Sequence, residues 1–467
     1  MYDLVFKDAL IKDGFTSWEG DLAIQGEKIA AVGCGLSGKR EVSVEGKWLI
    51  PGALDVHTHF SLPFAEAVSS DDFFTGTRAA AFGGVTTIID FTAQNGEEGI
   101  RPGFQRRLAL AEGKAVIDYG FHACMSRFTP EMERDLEWAC GAGLTSLKVF
   151  TAYRKAGMML NDGEIYTVLR RCRDLEMLTT FHAESGDVIE RLIVEQAAGG
   201  RCDMLAHSAS RPVFTETEAV RRVADLAEAA HASAYIVHLS CGNSTVRIAE
   251  ARRRGVSILA ETCPQYLFLD DSQFSGNNGH LFGSCPPIRP AGQEQGLWRG
   301  LEEGHIQVVA TDHCPFMRAG KDTWHGDFRN LPMGLPGIET LVPLILSESQ
   351  RRTGSVDFAI RALSVNPAKI FGLYPRKGCL LPGSDADIVI YDPARTWTIA
   401  ADKLHMNTDF SPYEGMPLTG KPIMTISRGD VLVEEDLFKG ASGRGRFLVR
   451  SKPDLQSFLS RTLPLET

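Results

Sequence analysis

The stretch LIPGALDVHTHFSLPF, residues Leu49–Phe64, joins an apolar run to two histidines that are one residue apart. The apolar run is typical of a buried β-strand, in which residues i and i+2 point to the same side. We therefore expect His57 and His59 to leave the strand end side by side, an arrangement that suits a metal ion. Taken alone, such a pair is equally typical of ordinary polar residues at a strand end, so further ligands must decide its meaning.

Length and charge narrow the class of protein. The chain has 467 residues, 43% of them hydrophobic, which is enough for a large catalytic domain with a smaller companion. The formal net charge is -10 and no basic run is present, which argues against nucleic acid as a partner. The N-terminal MYDLVFKDALIKDG lacks the apolar core of a signal peptide, and no apolar stretch is long enough to span a bilayer. We expect a cytoplasmic protein with no membrane partner.

The ten cysteines are scattered along the chain and form no CxxC pair. This distribution fits reduced thiols in a cytosolic enzyme better than disulfides or a cysteine-ligated zinc. Any bound metal is then expected to be held by histidine and carboxylate.

Two patterns of predicted secondary structure occur along the chain. Short strands with turns occupy the first ~50 residues and return near the C-terminus. Between them, apolar strands alternate with helix-length segments such as TETEAVRRVADLAEAAH and NSTVRIAEARRRG. The predicted strands of this central part are VTTIIDF, AVIDYGFHAC, LTSLKVF, MLTTFHAE, SAYIVHLS, VSILAETCPQ and IQVVATDH.

This order predicts an α/β protein, a (β/α)8 TIM barrel with a small β-sandwich domain formed from both chain ends. A doubly wound open sheet is the alternative architecture. We assign residues 1–52 to the N-terminal part of the sandwich, 53–376 to the barrel, and 377–467 to the C-terminal part of the sandwich. The irregular tail at the end of the last part is expected to act as an arm that packs on another subunit.

Several predicted strands end in a residue that can bind a metal or react. In a parallel barrel, reactive residues gather at the C-terminal ends of the strands. A single histidine there is more often a core residue, but five metal-competent groups at successive strand ends favour a catalytic site, and imidazole with carboxylate suits Zn²⁺. The strand-end residues are His57, His59, Lys148, His182, His238 and Asp312.

Lys148 is the unusual member of this set, because it lies between Leu147 and Val149 on a strand where burying a charge is costly. The ordinary explanation is a side chain that reaches the rim or pairs with an acid. The chemical alternative is that burial and nearby cations lower its pKa and leave a neutral amine that reacts with CO₂. The resulting carbamate would be a carboxylate on a long arm, able to bridge two metal ions about 3.5–4 Å apart.

A set of motifs spread over nearly the whole chain closely resembles the hydantoinase and dihydropyrimidinase family of cyclic amidohydrolases. These motifs are DVHTHF, DDFFTGTRAAAFGGVTTIIDF, SLKVFTAY, YIVHLSCGN, ETCPQYL, ATDHCPF and PGSDADIVIYDP. The resemblance implies a hydrolase with two Zn²⁺ per subunit and a hydroxide nucleophile between them. The implied ligands are His57, His59 and Asp312 for one ion, His182 and His238 for the other, and N6-carboxylated Lys148 as the bridge.

The resemblance also implies roles in catalysis and assembly. Asp312 would move the proton from the nucleophile to the leaving ring nitrogen, and Tyr153 in FTAY would hydrogen-bond the developing oxyanion. The substrate would be a small cyclic amide, a 5-substituted hydantoin or a dihydropyrimidine, opened to an N-carbamoyl amino acid. Family habit implies a homotetramer, or a homodimer.

Substrate-binding residues are expected on several loops. By the resemblance, Leu62, Phe64 and Phe150 would line the exocyclic substituent of the ring. Cys285 and Met333 stand where the family usually has serine and asparagine, at two places that contact the imide ring largely through backbone atoms. These two differences bear on substrate fit rather than on catalysis.

Three other functions are compatible with parts of this pattern. Dihydroorotases usually carry an arginine shortly after the paired histidines, whereas residues 60–64 here offer no cation. Allantoinase, whose substrate has a polar ureido substituent, remains a weaker alternative. A non-catalytic dihydropyrimidinase-like scaffold is less expected, because such proteins have lost metal ligands and this chain keeps all six.

Overall fold

The computed structural model describes residues 1–64, 67–92 and 98–459, apart from the side chains of Phe64 and Leu459. Its strands are β1 (Tyr2–Lys12), β2 (Ser17–Gln25), β3 (Lys28–Gly33), β4 (Gly38–Ser43), β5 (Trp48–Pro51), β6 (Ala53–Thr58), β7 (Pro63–Phe64), β8 (Ala67–Val68), β9 (Val85–Phe91), β10 (Asp118–Cys124), β11 (Ser146–Phe150), β12 (Leu178–His182), β13 (Ala234–Ile236), β14 (Ile258–Thr262), β15 (Val308–Val309), β16 (Ile388–Thr398), β17 (Pro417–Ser427), β18 (Asp430–Glu434) and β19 (Leu437–Phe438).

Helices fill most of the intervals between the strands. The α-helices are α1 (Phe73–Phe82), α2 (Ile100–Ala111), α3 (Pro130–Gly141), α4 (Asp162–Asp174), α5 (Gly186–Ala198), α6 (Met204–Ser210), α7 (Val213–Ala230), α8 (Gly242–Arg253), α9 (Pro264–Phe268), α10 (Gln293–Glu302), α11 (Arg318–Lys321), α12 (Leu341–Thr353), α13 (Asp357–Ile360), α14 (Asn366–Ile370) and α15 (Gln456–Leu459). A π-helical turn, Arg361–Val365, joins α13 to α14. In the described ranges, no helix is both long and apolar enough to cross a membrane.

Eight parallel strands form the central sheet, in the order β15, β14, β13, β12, β11, β10, β9, β6. The two edge strands meet through a parallel bridge between Thr58 and His313. There, His59 N donates to His313 O at 2.8 Å and His313 N donates to His57 O at 3.3 Å. The sheet is therefore a nearly closed barrel, which confirms the predicted (β/α)8 architecture over a doubly wound open sheet.

The local sequence explains both kinds of element. All seven residues of β9, VTTIIDF, are buried, as expected for a parallel strand that is covered on both faces. In α7 the buried residues recur at helical spacing, for example Ala219, Val220 and Val223. The alternation of these two patterns gives strands inside and helices outside.

The two chain ends build a second, mostly antiparallel sheet of nine strands, with the order β19, β18, β17, β16, β5, β1, β2, β3 and with β4 paired to β1. The pairing of β1 with β2 shifts between Phe6 and Ala9, the first half of β1 pairs with β4, and the second half pairs with β5. Because the two halves of β1 pair with different strands, the sheet can curve around a core of its own. This core contains Phe6 and Leu22 from the N-terminal part of the chain and Ile388 from the C-terminal part. The small domain is thus separate from the barrel, as predicted.

A buried ion cluster joins the small domain to the barrel. Lys377, fully buried, lies 2.7 Å from Asp118 at the start of β10, 3.0 Å from Asp385 and 2.8 Å from Asp387. Arg428 contacts Asp118 from the end of β17 at 3.1 Å. Each of the three carboxylates is paired with a cation, which is the condition for burying such groups.

The C-terminal segment lies against the barrel of its own chain. Leu448 N donates to Tyr119 O at 2.7 Å, and Tyr119 N donates to Arg446 O at 3.0 Å. The buried Arg450 side chain donates to Phe121 O at 2.6 Å. An arm on another subunit therefore stays a prediction for residues 460–467, which lie outside the described residues.

Candidate metal centre

Three of the predicted ligands meet at the barrel mouth. His57 lies in β6, His59 follows that strand, and Asp312 follows β15. Asp312 Oδ1 is 3.2 Å from His57 Nε2 and 3.0 Å from His59 Nε2, and the three ligand atoms all lie within 4.8 Å of one another. Burial opposes ionisation of Asp312, but His57 and His59 outweigh it and lower the pKa of this carboxyl. The group has the donor set of a zinc-class ion.

His182 and His238 form a second group. His182 ends β12, His238 follows β13, and His182 Nδ1 lies 2.9 Å from His238 Nε2. Two nitrogens bound tetrahedrally to one zinc ion at about 2.0–2.1 Å lie about 3.3 Å apart. The rings of His57 and His238 have centroids 5.3 Å apart, so the two groups are neighbours. The facing nitrogens fit a single shared ion.

Lys148 lies on β11 beside both groups, with only 3% of its surface exposed. Its Nζ atom is 5.2 Å from the Phe91 ring centroid and 5.3 Å from the Phe150 ring centroid. In the part of the chain that the structure describes, Nζ makes no hydrogen bond and no ion pair. Burial lowers the pKa of Lys148 to about 8, although Asp312 and Glu261 act in the opposite direction. Lys148 is therefore not explained as a buried lysine that pairs with an acid.

Two glutamates orient the histidines from behind. Glu261 at the end of β14 contacts His57 Nδ1, and Glu184 Oε2 accepts from His182 Nε2 at 2.7 Å. A carboxylate on one ring nitrogen fixes the tautomer and leaves the other nitrogen free to bind an ion. Neither glutamate is among the site residues predicted from the sequence. The available signal was their position, since Glu184 is two residues after His182 and Glu261 lies within the predicted strand VSILAETCPQ.

Arg211, also missed from the sequence, connects this group to Tyr153. Its guanidinium is buried, pairs with Glu184, and lies 5.4 Å from the Tyr153 ring centroid. Burial raises the pKa of Tyr153 well above its ordinary value, and the Cys285 thiol beside its hydroxyl acts in the same direction. Tyr153 therefore keeps its proton and can donate a hydrogen bond.

Three of the predicted site residues have positive φ angles. Tyr153 has φ 69°, His238 has φ 38° and Asp312 has φ 54°. A non-glycine residue in this left-handed region costs free energy and tends to occur at functional sites. The backbone is thus strained at two of the predicted metal ligands and at the predicted oxyanion donor.

The predicted pocket residues are only partly brought together. Phe150 lies beside the site, its ring centroid 6.1 Å from those of Tyr153 and His182. Cys285 is next to the Tyr153 hydroxyl. Leu62 belongs to the loop after β6, where its N–H donates to Ser69 Oγ at 3.4 Å. The Phe64 side chain lies outside the described residues.

Comparisons with known proteins give the family. Residues 48–432 match the model of the amidohydrolase family. The chain belongs to the amidohydrolase family. It is 38% identical to a D-hydantoinase of Geobacillus stearothermophilus, with 96% of each chain covered, and 39% identical to a D-phenylhydantoinase of Escherichia coli O1:K1 / APEC, with 96% and 98% covered. The crystal structure of a dihydropyrimidinase from Brevibacillus agri NCHU1002 superposes with a TM-score of 0.94 at 38% identity, covering 96% and 99% of the two chains.

Within the family, this amidohydrolase groups with the cyclic amidohydrolases of the hydantoinase and dihydropyrimidinase type, as the motifs indicated. The family is metal-dependent. The facing ring nitrogens, the carboxylate-backed histidines and the unpartnered buried lysine of this chain fit that dependence.

Proposed function

We propose that this amidohydrolase opens the cyclic amide of 5-substituted hydantoins and dihydropyrimidines by hydrolysis, giving N-carbamoyl amino acids. The observation that carries the proposal is the convergence of His57, His59, Lys148, His182, His238 and Asp312 at one barrel mouth. The names of the similar proteins, D-hydantoinase, D-phenylhydantoinase and dihydropyrimidinase, support the same substrate class.

The proposed cofactor is a pair of Zn²⁺ ions. His57, His59 and Asp312 would hold one ion, His182 and His238 the other, and N6-carboxylated Lys148 would bridge them. In support, Lys148 is buried without an acid partner and its pKa is lowered to about 8, so a neutral amine is accessible near neutral pH. When bound, the ions supply a water of lowered pKa and polarise the ring carbonyl.

Asp312 is the proposed proton carrier. Its lowered pKa keeps it a carboxylate at neutral pH, so it can take a proton from the attacking water as the new C–O bond forms. The same proton is then delivered to the ring nitrogen as the C–N bond breaks. The neutral Tyr153 hydroxyl would donate to the carbonyl oxygen, where negative charge develops.

The proposed substrate ring is uncharged. Of the buried cations beside Tyr153 and Cys285, Arg211 is already paired with Glu184, and Lys321 donates to two backbone carbonyls. Phe150 offers an apolar face, and Leu62, Phe64, Cys285 and Met333 are the further proposed contacts. A substrate carboxylate would lose water without gaining a partner, which costs several kcal/mol.

A rate panel tests this assignment. It compares 5-phenylhydantoin, a 5-alkyl hydantoin, dihydrouracil, allantoin and dihydroorotate on enzyme of known metal content. We expect a hydantoin to exceed dihydroorotate in kcat/KM by at least about 10-fold. Equal or faster turnover of dihydroorotate would refute the assignment. Assays of the two enantiomers of 5-phenylhydantoin measure the stereochemical preference.

We further propose a cytoplasmic homotetramer. All ten cysteines are free, as in proteins kept in a reducing compartment. Val194 on α5, Leu205 on α6 and Phe214 on α7 are large apolar side chains that are each about half exposed, at 48%, 44% and 53%, and association with another subunit would cover such side chains. Light scattering coupled to size exclusion measures the mass, and a monomer at micromolar concentration would contradict the proposal.

A further inference from the structure

Lys321, the last residue of α11, is fully buried yet has no acid partner. Its Nζ atom donates to Gly283 O at 3.2 Å and to Pro332 O at 3.1 Å. Within residues 1–64, 67–92 and 98–459, no carboxylate lies within ion-pair distance of this ammonium. Burial lowers the pKa of Lys321 to about 7. Besides the two carbonyls, Nζ lies 5.9 Å from the Phe316 ring centroid. A buried cation without a carboxylate partner is costly, so its position calls for an explanation.

The two acceptor carbonyls belong to two segments at the proposed pocket. One segment, Gly283–Cys285, brings the Cys285 thiol to the Tyr153 hydroxyl. The other, Pro332–Gly334, touches it directly, since Gly334 N donates to Gly283 O at 2.9 Å. Gly334 has φ 152°, and an added Cβ would meet Cys314 O at 2.3 Å, so the second segment packs against Cys314 at a position where only glycine fits.

Both segments carry backbone groups without partners. Among the described residues, the N–H and C=O groups of Cys285 and of Met333 make no hydrogen bond within the chain. Buried backbone groups are nearly always paired, whereas these half-buried ones are open to water or to a ligand. The imide edge of a substrate ring presents C=O, N–H and C=O in that order. These groups complement the free backbone N–H and C=O groups of the two segments. The distance between the two segments then decides how well such an edge fits.

We propose that Lys321 is a positioning residue that holds the segments Gly283–Cys285 and Pro332–Gly334 at the spacing required by the imide edge of the substrate. The inference rests on the proposed function and extends it to a residue outside the metal centre. Lys321 is not one of the proposed metal ligands, and among the described residues its Nζ atom donates hydrogen bonds only to these two segments. Its loss should therefore weaken ring binding and leave the metal centre intact.

The test is Lys321→Met, which keeps the length of the side chain and removes the ammonium. We expect KM for 5-phenylhydantoin and Kd for glutarimide, a cyclic imide that serves as the probe, to rise at least about 10-fold with a smaller change in kcat. Metal content, Tm and inhibition by acetohydroxamate, a ligand directed at metal ions, should stay as in the wild type. Lys321→Gln, whose amide can still reach one carbonyl, should give intermediate values and serves equally if the methionine variant does not fold.

Lys369→Met is the matched control, because it makes the same chemical change on α14, where Nζ lies 5.0 Å from the Tyr374 ring centroid. Its KM and Kd should equal those of the wild type. Imide affinity within twofold of the wild type in the Lys321 variants, with or without a fall in Tm, would overturn the proposal. Wild-type enzyme that neither binds glutarimide nor hydrolyses hydantoins would overturn the proposed function itself, and this inference with it.

Discussion

His182 Nδ1 and His238 Nε2 face each other at 2.9 Å in the barrel mouth. His182 Nε2 is directed at the Glu184 carboxylate, 2.7 Å away, so the proton of this neutral imidazole belongs on Nε2 and a lone pair on Nδ1. Burial, together with Lys148, lowers the pKa of His238 well below its ordinary value, so that ring is neutral as well. Each neutral ring therefore has a nitrogen lone pair available, and the two facing nitrogens can bind the same metal ion.

Glu184→Gln tests the tautomer argument. The amide can donate as well as accept, so Nε2 of His182 is no longer obliged to carry the proton. We expect the affinity for one of the two metal ions to fall about 10- to 100-fold, as for other residues that orient metal ligands. Metal titration followed by mass spectrometry measures it. Glu195→Gln, an exposed position on α5 paired with Arg191, is the control and should bind metal like the wild type.

Tyr153→Phe tests the oxyanion donor. Loss of one preorganised donor should lower kcat about 10²- to 10³-fold, with metal content unchanged. Because the pKa of Tyr153 is raised well above its ordinary value, the wild type should show no loss of kcat from tyrosine ionisation up to pH 10. Tyr166→Phe on α4 is the control. A Tyr153→Phe enzyme with wild-type kcat would remove this residue from the mechanism.

The barrel and the placement of histidine and carboxylate side chains at its strand ends were predictable because both depend on local pattern. Strand VTTIIDF matches β9 residue for residue, and His182 ends β12 as expected. Arg211 and Lys321 were not predictable, because their partners are distant in sequence and meet only when the barrel closes. Arg211 is 27 residues from Glu184, and Lys321 reaches back 38 residues to Gly283. No periodicity encodes such contacts.

Asp385→Asn tests the joint between the small domain and the barrel. Burial opposes ionisation of Asp385, but Lys377, Lys28 and Arg376 outweigh it and lower its pKa to about 2. Because the pKa is lower in the folded protein, the ionised Asp385 carboxylate stabilises the fold. This stabilisation is present above pH 3.8, the pKa of the carboxyl in the unfolded chain, and is lost as the pH falls toward 2. We expect the variant to lose about 1–2 kcal/mol of unfolding free energy at pH 7, and less at pH 3. Urea unfolding at both pH values measures this, and an equal loss at both would be inconsistent with it.

Lys148→Arg and Lys148→Ala separate a carbamate from a structural lysine. Arginine keeps charge and length but cannot become neutral at working pH, so it should lose the bridged metal pair and nearly all activity. The alanine variant should also be inactive, yet added acetate or propionate should restore part of its metal binding and hydrolysis. If the lysine were only structural, arginine would be the better-tolerated change and added carboxylate would have no effect.

Metal-dependent opening of a cyclic amide is tested most directly by measuring hydrolysis of 5-phenylhydantoin. The enzyme is assayed as purified, after metal removal by a chelator, and after reloading with zinc and bicarbonate. Product is identified by mass as the N-carbamoyl amino acid, and metal is counted in the same samples. We expect about two ions per chain in active enzyme, loss of activity when the metal is removed, and recovery on reloading. Ring opening that persists in metal-free enzyme, or metal-loaded enzyme that leaves every cyclic amide intact, would contradict it.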